Sequence, residues 1–244
     1  MRFVIAGDTN IQDREVPVSA FAKVKALFET GEVLLCHAEG MFTEAARDKS
    51  VPSLPYKDRW RHSTPEMLSG FADAGFDAVS MASNVTAGPA AVAETVDVAA
   101  KVGLRVSGIG KTKTEARRPA RFTKRDTTVA LLSRTSVFWP HLVPATEKSP
   151  GAATVRAYVA YQPGRRALEM PGASPIVVTW PDPAEIEALM EDIRGAKKDA
   201  DCVILSMHWG VSSSTEVHDY QRAIAHASID AGVSLVFGHH PHLV

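Results

Sequence analysis

Short apolar runs rich in β-branched residues alternate with helix-period segments along this chain of 244 residues, and that alternation points to a largely parallel sheet covered by helices. The runs fall at 2–6, 33–36, 77–81, 104–107, 128–133, 156–161, 176–179, 202–207 and 234–237. Helices are predicted at 19–30, where Phe21, Val24, Leu27 and Phe28 would share a face, and at 64–74, with Thr64 as N-cap, Pro65 in the first turn and Gly75 as the stop. Further helices are predicted at 90–102, 183–198 and 220–231. The Pro- and charge-rich segment 43–62 reads as an excursion able to cover a site, and 140–153 is turn-rich without an assignment. The fold class is therefore α/β, with layered sheet or sheets flanked by helices.

Polar residues fall where such a sheet would place a ligand. Five apolar runs end in metal-capable or amide side chains: Asp8 and Asn10 after the first, His37 and Glu39 after the second, and Asn84 after the third. His208 ends the run at 202–207, and His239, His240 and His242 end the last. In open α/β sheets ligands bind beyond the carboxyl ends of the strands, so these groups should converge. Imidazole and carboxylate together suit Zn, Mn or Fe, and so many candidate ligands exceed the need of one tetrahedral zinc. Two ions sharing a carboxylate, Asp8 or Glu39, could activate a water and stabilise charge in a hydrolytic displacement. An extended backbone at His240 and His242 would point both imidazoles the same way.

Each residue also has a plainer reading. Asp8 after Gly7 could be a turn or cap residue, Asn84 an Asx turn, and His208 a satisfied core histidine. The cluster from His239 to His242 is hard to explain structurally. Covalent catalysis has little support. No Gly-x-Ser-x-Gly elbow occurs, and Cys36 and Cys202 lie inside apolar runs, where cysteine packs as a small hydrophobe in a reducing compartment. Gly108, Gly110 and Lys111 form a glycine turn without the spacing of a Walker loop or a dinucleotide fingerprint.

A net charge of −1 and a pI near 6.8 supply no general field for nucleic acid or an anionic membrane surface. The basic run 112–125 also holds Glu115 and reads as solvated surface. No apolar run is long enough to insert in a membrane, and the start of the chain lacks a signal-peptide pattern, so a cytoplasmic location is expected. The partner is expected to be a small-molecule, peptide or polymer substrate.

At these residues the sequence resembles the CapA-like, poly-γ-glutamate capsule biosynthesis family, a branch of the calcineurin-like metallophosphoesterase superfamily. The resemblance rests on Gly7-Asp8, on Ala38-Glu39-Gly40 in place of Asn-Leu-Glu-Gly, and on Ser83-Asn84 in place of Asn-Asn-His. His208-Trp209-Gly210 and Gly238-His239-His240-Pro241-His242 complete it. It implies one metallophosphoesterase-like domain over 1–244, with the C-terminal part of the family fold missing, because the family continues with further strands past His242. It also implies one or two divalent ions held by Asp8, Glu39, Asn84, His208, His240 and His242. Asn10 stands where the superfamily often has a His, as a ligand or supporting residue. His37 replaces the family's Asn and could be a ligand, a proton carrier or a supporting partner.

The resemblance thus implies a metal-dependent hydrolase of phosphoester or amide-like substrates, with a link to poly-γ-glutamate or another envelope polymer. His37, His208 and His239 are the candidate catalytic groups. The family's His after Asn84 is Val85 here. In phosphoesterases that His assists the leaving group or steadies the phosphoryl oxygens, so its loss argues against ordinary phosphatase chemistry. Two alternatives stand beside hydrolysis: metal-assisted proton transfer next to a carbonyl, and a non-catalytic binding or assembly protein that keeps the fold.

Overall fold

A computed structural model describes residues 1–243. In chain order the elements are β1 (Phe3–Thr9), α1 (Lys25–Phe28), β2 (Val33–Ala38), α2 (Ser69–Asp73), β3 (Ala78–Ser80), α3 (Pro89–Lys101), β4 (Val106–Ser107), β5 (Ile109–Gly110), α4 (Lys113–Arg117), β6 (Ala120–Lys124) and β7 (Thr127–Thr135). There follow β8 (Gly151–Ala152), β9 (Ala157–Gln162), β10 (Ile176–Pro181), α5 (Pro183–Lys197), β11 (Cys202–His208), α6 (Asp219–Asp230) and β12 (Leu235–His239).

Two four-stranded sheets pack face to face. The first has order β1-β2-β3-β4 and is parallel throughout, as three successive βαβ units require. The second has order β12-β11-β7-β6, parallel except for the β6–β7 hairpin. Period-two alternation assigns the faces. Val33, Leu35, Ala78, Val129, Leu131 and Ile204 meet between the sheets. Leu34, Cys36 and Val79 face outward against Phe28, Phe71 and Val92. Ala130, Leu132, Val203 and Leu205 face Leu189 and Ile193 of α5 and Ile224 of α6. The result is four layers, helix–sheet–sheet–helix, the layered α/β architecture that the sequence predicts. Both cysteines are free. Among the described residues no helix is long and apolar enough to cross a membrane.

Several elements depart from the sequence reading. The helix expected at 19–30 is reduced to a 3-10 turn at Pro17–Ala20 and the single turn of α1. Only Phe21 and Phe28 of its expected apolar face are buried, whereas Val24 and Leu27 are exposed. Packing decides this. Phe21 stacks edge-on against Phe71 and Phe76 at 5.1 and 5.3 Å, and two aromatic anchors hold the segment without a continuous helix. The helix at 64–74 begins as a 3-10 turn with Pro65 first, and ends where Gly75 takes φ +88°, a conformation that favours glycine.

The basic run 112–125 is not only surface. It contains α4 and the edge strand β6, in which Ala120 and Phe122 point into the layer between the sheets while Arg121 and Thr123 face out. Arg121 and Lys124, within a run dense in basic residues, concealed the strand. The runs at 156–161 and 176–179 join neither sheet, and pair with each other as the exposed antiparallel hairpin β9–β10.

Candidate metal centre

The same alternation that builds the inner layer delivers polar side chains into it at the carboxyl end. His37 follows Val33 and Leu35 on β2, Ser80 follows Ala78 on β3, Ser206 and His208 follow Ile204 on β11, and His239 follows Phe237 on β12. Asp8 would fall on the outer face under strict alternation from Phe3 and Ile5. A β-bulge corrects this: Ala6 pairs with Cys36 but Asp8 pairs with His37, so Gly7 is skipped and Asp8 turns inward. Gly238 has its own reason. A Cβ there would collide with the indole nitrogen of Trp209, so the His-Trp-Gly and Gly-His-His segments fit together only with glycine at that position.

Asp8, His37, His208 and His239 each offer one donor atom, and the four atoms lie within 4.8 Å of one another. Asp8 Oδ1 is 2.9 Å from His239 Nδ1, 3.5 Å from His208 Nδ1 and 4.0 Å from His37 Nε2. His208 Nδ1 and His239 Nδ1 are 3.0 Å apart.

Hydrogen-bond accounting fixes the state of these rings. Ser206 Oγ donates to Ser80 Oγ at 2.7 Å, and Ser80 Oγ donates to the Cys36 carbonyl at 3.3 Å. Both serines are then left to accept from imidazole: Ser206 from His239 Nε2–H at 2.8 Å, and Ser80 from His37 Nδ1–H at 3.0 Å. His208 Nε2 faces the amide oxygen of Asn84 at 3.2 Å and donates to it. The remaining nitrogens, His37 Nε2, His208 Nδ1 and His239 Nδ1, are bare lone pairs turned toward the Asp8 carboxylate, and His37 Nε2 has no partner at all. Acceptors this close repel unless a cation lies among them. The donor set therefore fits a divalent metal.

Electrostatics prepare the same state. Burial works to raise the Asp8 carboxyl, but the surrounding imidazoles of His208, His239 and His37 outweigh it and hold Asp8 well below the usual carboxylate range. Burial holds His37 and His239 below their ordinary values and pushes His208 down to about 3. An ionised carboxylate among neutral imidazoles is the protonation state that metal ligation requires.

The other predicted residues surround this group. His240 donates its backbone N–H to Asp8 Oδ2 at 2.7 Å, while its Nδ1 is buried without a partner. His242 Nδ1 lies 3.6 Å from Asp8 Oδ2, on a half-exposed side chain. The extended backbone expected there is not found. His240 has φ +101° and His242 φ +56°, because the hydrogen bond to Asp8 and the following Pro241 turn the chain at the strand end. Glu39 is buried and outside the four-atom group. Burial, and then the charge of Asp8, raise its carboxyl to about 7. Asn84 supports His208. Asn10 instead closes an exposed turn, its side chain accepting from Gln12 N at 2.9 Å. Val85 is fully buried in an apolar cluster with Leu54 and Val143, through which the 43–62 excursion is anchored.

Ser80 and Ser206 were not singled out from sequence. The signal was present: Ser206 stands two residues before the strand-end His208 and shares its face, and a hydroxyl inside an apolar run, as at both serines, needs a partner. Removing the Ser206 hydroxyl in a Ser206→Ala variant is expected to weaken metal affinity roughly 10–100-fold, as read by competition with a chromophoric chelator. An unchanged affinity would show that the serine pair does not orient the imidazoles.

The model of the bacterial capsule synthesis protein PGA_cap family matches residues 4–244. "PGA biosynthesis protein CapA" of Bacillus subtilis (strain 168) is 42% identical over 62 residues, 25% of this chain and 16% of the relative. "Capsule biosynthesis protein CapA" of Bacillus anthracis is 36% identical over 62 residues, 24% of this chain and 15% of the relative. These two alignments thus span only a small part of each relative's length. The family match extends over nearly the whole chain and includes all four residues of the inner group, and the chain belongs to the bacterial capsule synthesis protein PGA_cap family.

Proposed function

We propose that this protein is a metal-dependent hydrolase acting on a phosphoester or amide-like substrate, in the metabolism of poly-γ-glutamate or another envelope polymer. One observation carries the reading: one nitrogen of each of three imidazoles converges with the Asp8 carboxylate, while the other nitrogen of each ring is taken up by Ser80, Ser206 or Asn84. A divalent Mn, Fe or Zn ion bound there would supply Lewis acidity toward water and a substrate oxygen. Asp8, His37, His208 and His239 would hold it, with Ser80, Ser206 and Asn84 fixing the ring orientations. The nitrogens of His37 and His239 that face the serines are occupied as donors, so proton transfer falls to groups at the margin. Glu39, raised to about 7, can hold or release a proton near neutrality, and His240 Nδ1 is free to accept one. Lys57 lies close enough to Glu39 and His240 to act on both, and offers a cation to an anionic substrate.

Val85 in place of an imidazole favours the amide over the phosphoester within this reading, because the position is filled by packing rather than by an acid. The test is a panel of phosphoesters and γ-glutamyl peptides offered to fully metal-loaded protein, with release of phosphate or free amine as the readout. Metal-dependent turnover of γ-glutamyl peptides is the expected result. No turnover of either class at full metal occupancy would sink the hydrolase reading and leave a binding or assembly role.

A further inference from the structure

The basic run 112–125 folds beside a cation that is not solvated. Arg134 of β7 is only 2% exposed. Alternation sends it toward α5 together with Ala130 and Leu132, on the opposite face of the sheet from Ser133, whose hydroxyl accepts from Ala82 N in the inner layer. Its Nη1 donates to the Ser133 carbonyl, and its Nη2 to Asp192 Oδ2. The same carboxylate already receives Arg117 Nε at 2.7 Å and Arg117 Nη2 at 2.9 Å. One negative charge thus faces two guanidiniums. Burial lowers Arg134, but only to about 10, so it remains a cation at neutral pH.

The pair lies between two adjoining cavities, about 270 and 400 Å³, that share Lys113 and Arg117. Lys113, Arg117, Arg134 and Arg156 border the smaller one, opposed by Glu185 and by the shared Asp192. Glu185 is already occupied by the Arg156 backbone N–H at 2.7 Å, and Lys113 makes no ion pair among the described residues. Across the two cavities Lys113, Arg117, Arg118, Arg121, Arg134 and Arg156 face Glu147, Glu185, Glu191 and Asp192, six cations against four carboxylates, which leaves a surplus of two positive charges around a partly enclosed space. Uncompensated charge is costly away from water, and guanidinium forks match the geometry of phosphate and carboxylate oxygens.

We infer that this cavity is a binding site for a small polyvalent anion carrying phosphate or carboxylate groups, separate from the metal centre and on the other face of the second sheet. The volume suits a phosphate group or a short dicarboxylate rather than a polymer. The site does not depend on the hydrolase reading.

The test is isothermal titration calorimetry of metal-loaded protein with inorganic phosphate and, separately, with succinate, in chloride at about 0.15 M to screen loose surface attraction. Saturable binding of at least one anion is expected, and the two arms tell which group the site prefers. A Lys113→Gln/Arg156→Gln variant, altered at one exposed and one partly exposed cation, is expected to bind at least tenfold more weakly. Chelator-treated parent is expected to bind undiminished, which separates this site from an anion held at the metal. Binding of neither anion, binding untouched by the double variant, or binding that disappears with the metal would each overturn the inference.

Discussion

Replacing His239 by alanine is expected to strip the divalent metal from the protein, whereas replacing His242 should leave most of it in place. The two residues are three apart in the chain but differently placed. His239 lies in the inner layer, with Nδ1 2.9 Å from Asp8 Oδ1 and Nε2 held by Ser206. His242 is half exposed at the edge of the group. Losing one of four convergent donors, the one nearest to Asp8, and leaving only His208 at 3.5 Å and His37 at 4.0 Å, should lower metal affinity roughly a hundredfold or more, with activity falling in step. Metal content by inductively coupled plasma mass spectrometry, with circular dichroism to confirm folding, reads the outcome. Equal loss in both variants would mean that the centre extends to the outer imidazole, as the sequence taken alone suggests. Retention in the His239→Ala variant would refute the inner-layer site.

The second large effect is on stability, away from the centre. His62 is buried, its Nδ1 accepts from Met41 N at 3.3 Å, and its Nε2 contacts the Ala87 carbonyl at 3.3 Å. Burial, offset only in part by that carbonyl, lowers it from 6.5 to about 4. The sign follows from linkage. Between these values the unfolded chain binds a proton that the folded chain does not, so acid favours unfolding. The stability conferred by neutral His62 is complete above about pH 6.5 and is lost as pH falls toward 4. The drop spans about 2.5 pH units, or roughly 3 kcal/mol at about 1.4 kcal/mol per unit. Urea unfolding of the parent and of His62→Gln from pH 7.5 to 4 should show a shallower pH dependence in the variant. Because the difference between the two proteins is read, acid loss of metal cancels. Parallel curves would mean that His62 does not govern the acid limb.

Much of the fold was legible because its signals are local. The apolar runs that became β1, β2, β3, β7, β11 and β12 each contain enough β-branched and aliphatic residues to be seen within a short window, and α3, α5 and α6 match their predicted spans within a residue or two. The misses share one cause. Val24 and Leu27 fit a helical face in sequence, but Phe21 and Phe28 were already anchored by Phe71 and Phe76, which lie more than 40 residues away. β6 was hidden by its charges, and only its pairing with β7 shows that Ala120 and Phe122 face a core.

The candidate site divides along the same line. Sequence alone determined that Asp8, His37, His208 and His239 stand at the ends of apolar strands, and a parallel sheet gathers strand ends at one edge whatever its details. It could not determine which way each side chain points. That depends on a skipped residue in β1, on the face-to-face packing of two sheets, and on the turn that takes His240 and His242 out of an extended path. Nor could it choose between the nitrogens of each ring, because the choice is made by Ser80, Ser206 and Asn84, partners 33 to 124 residues distant. Residue type and strand position are properties of a short stretch of chain, whereas facing, tautomer and convergence arise from contacts that exist only once the layers have met.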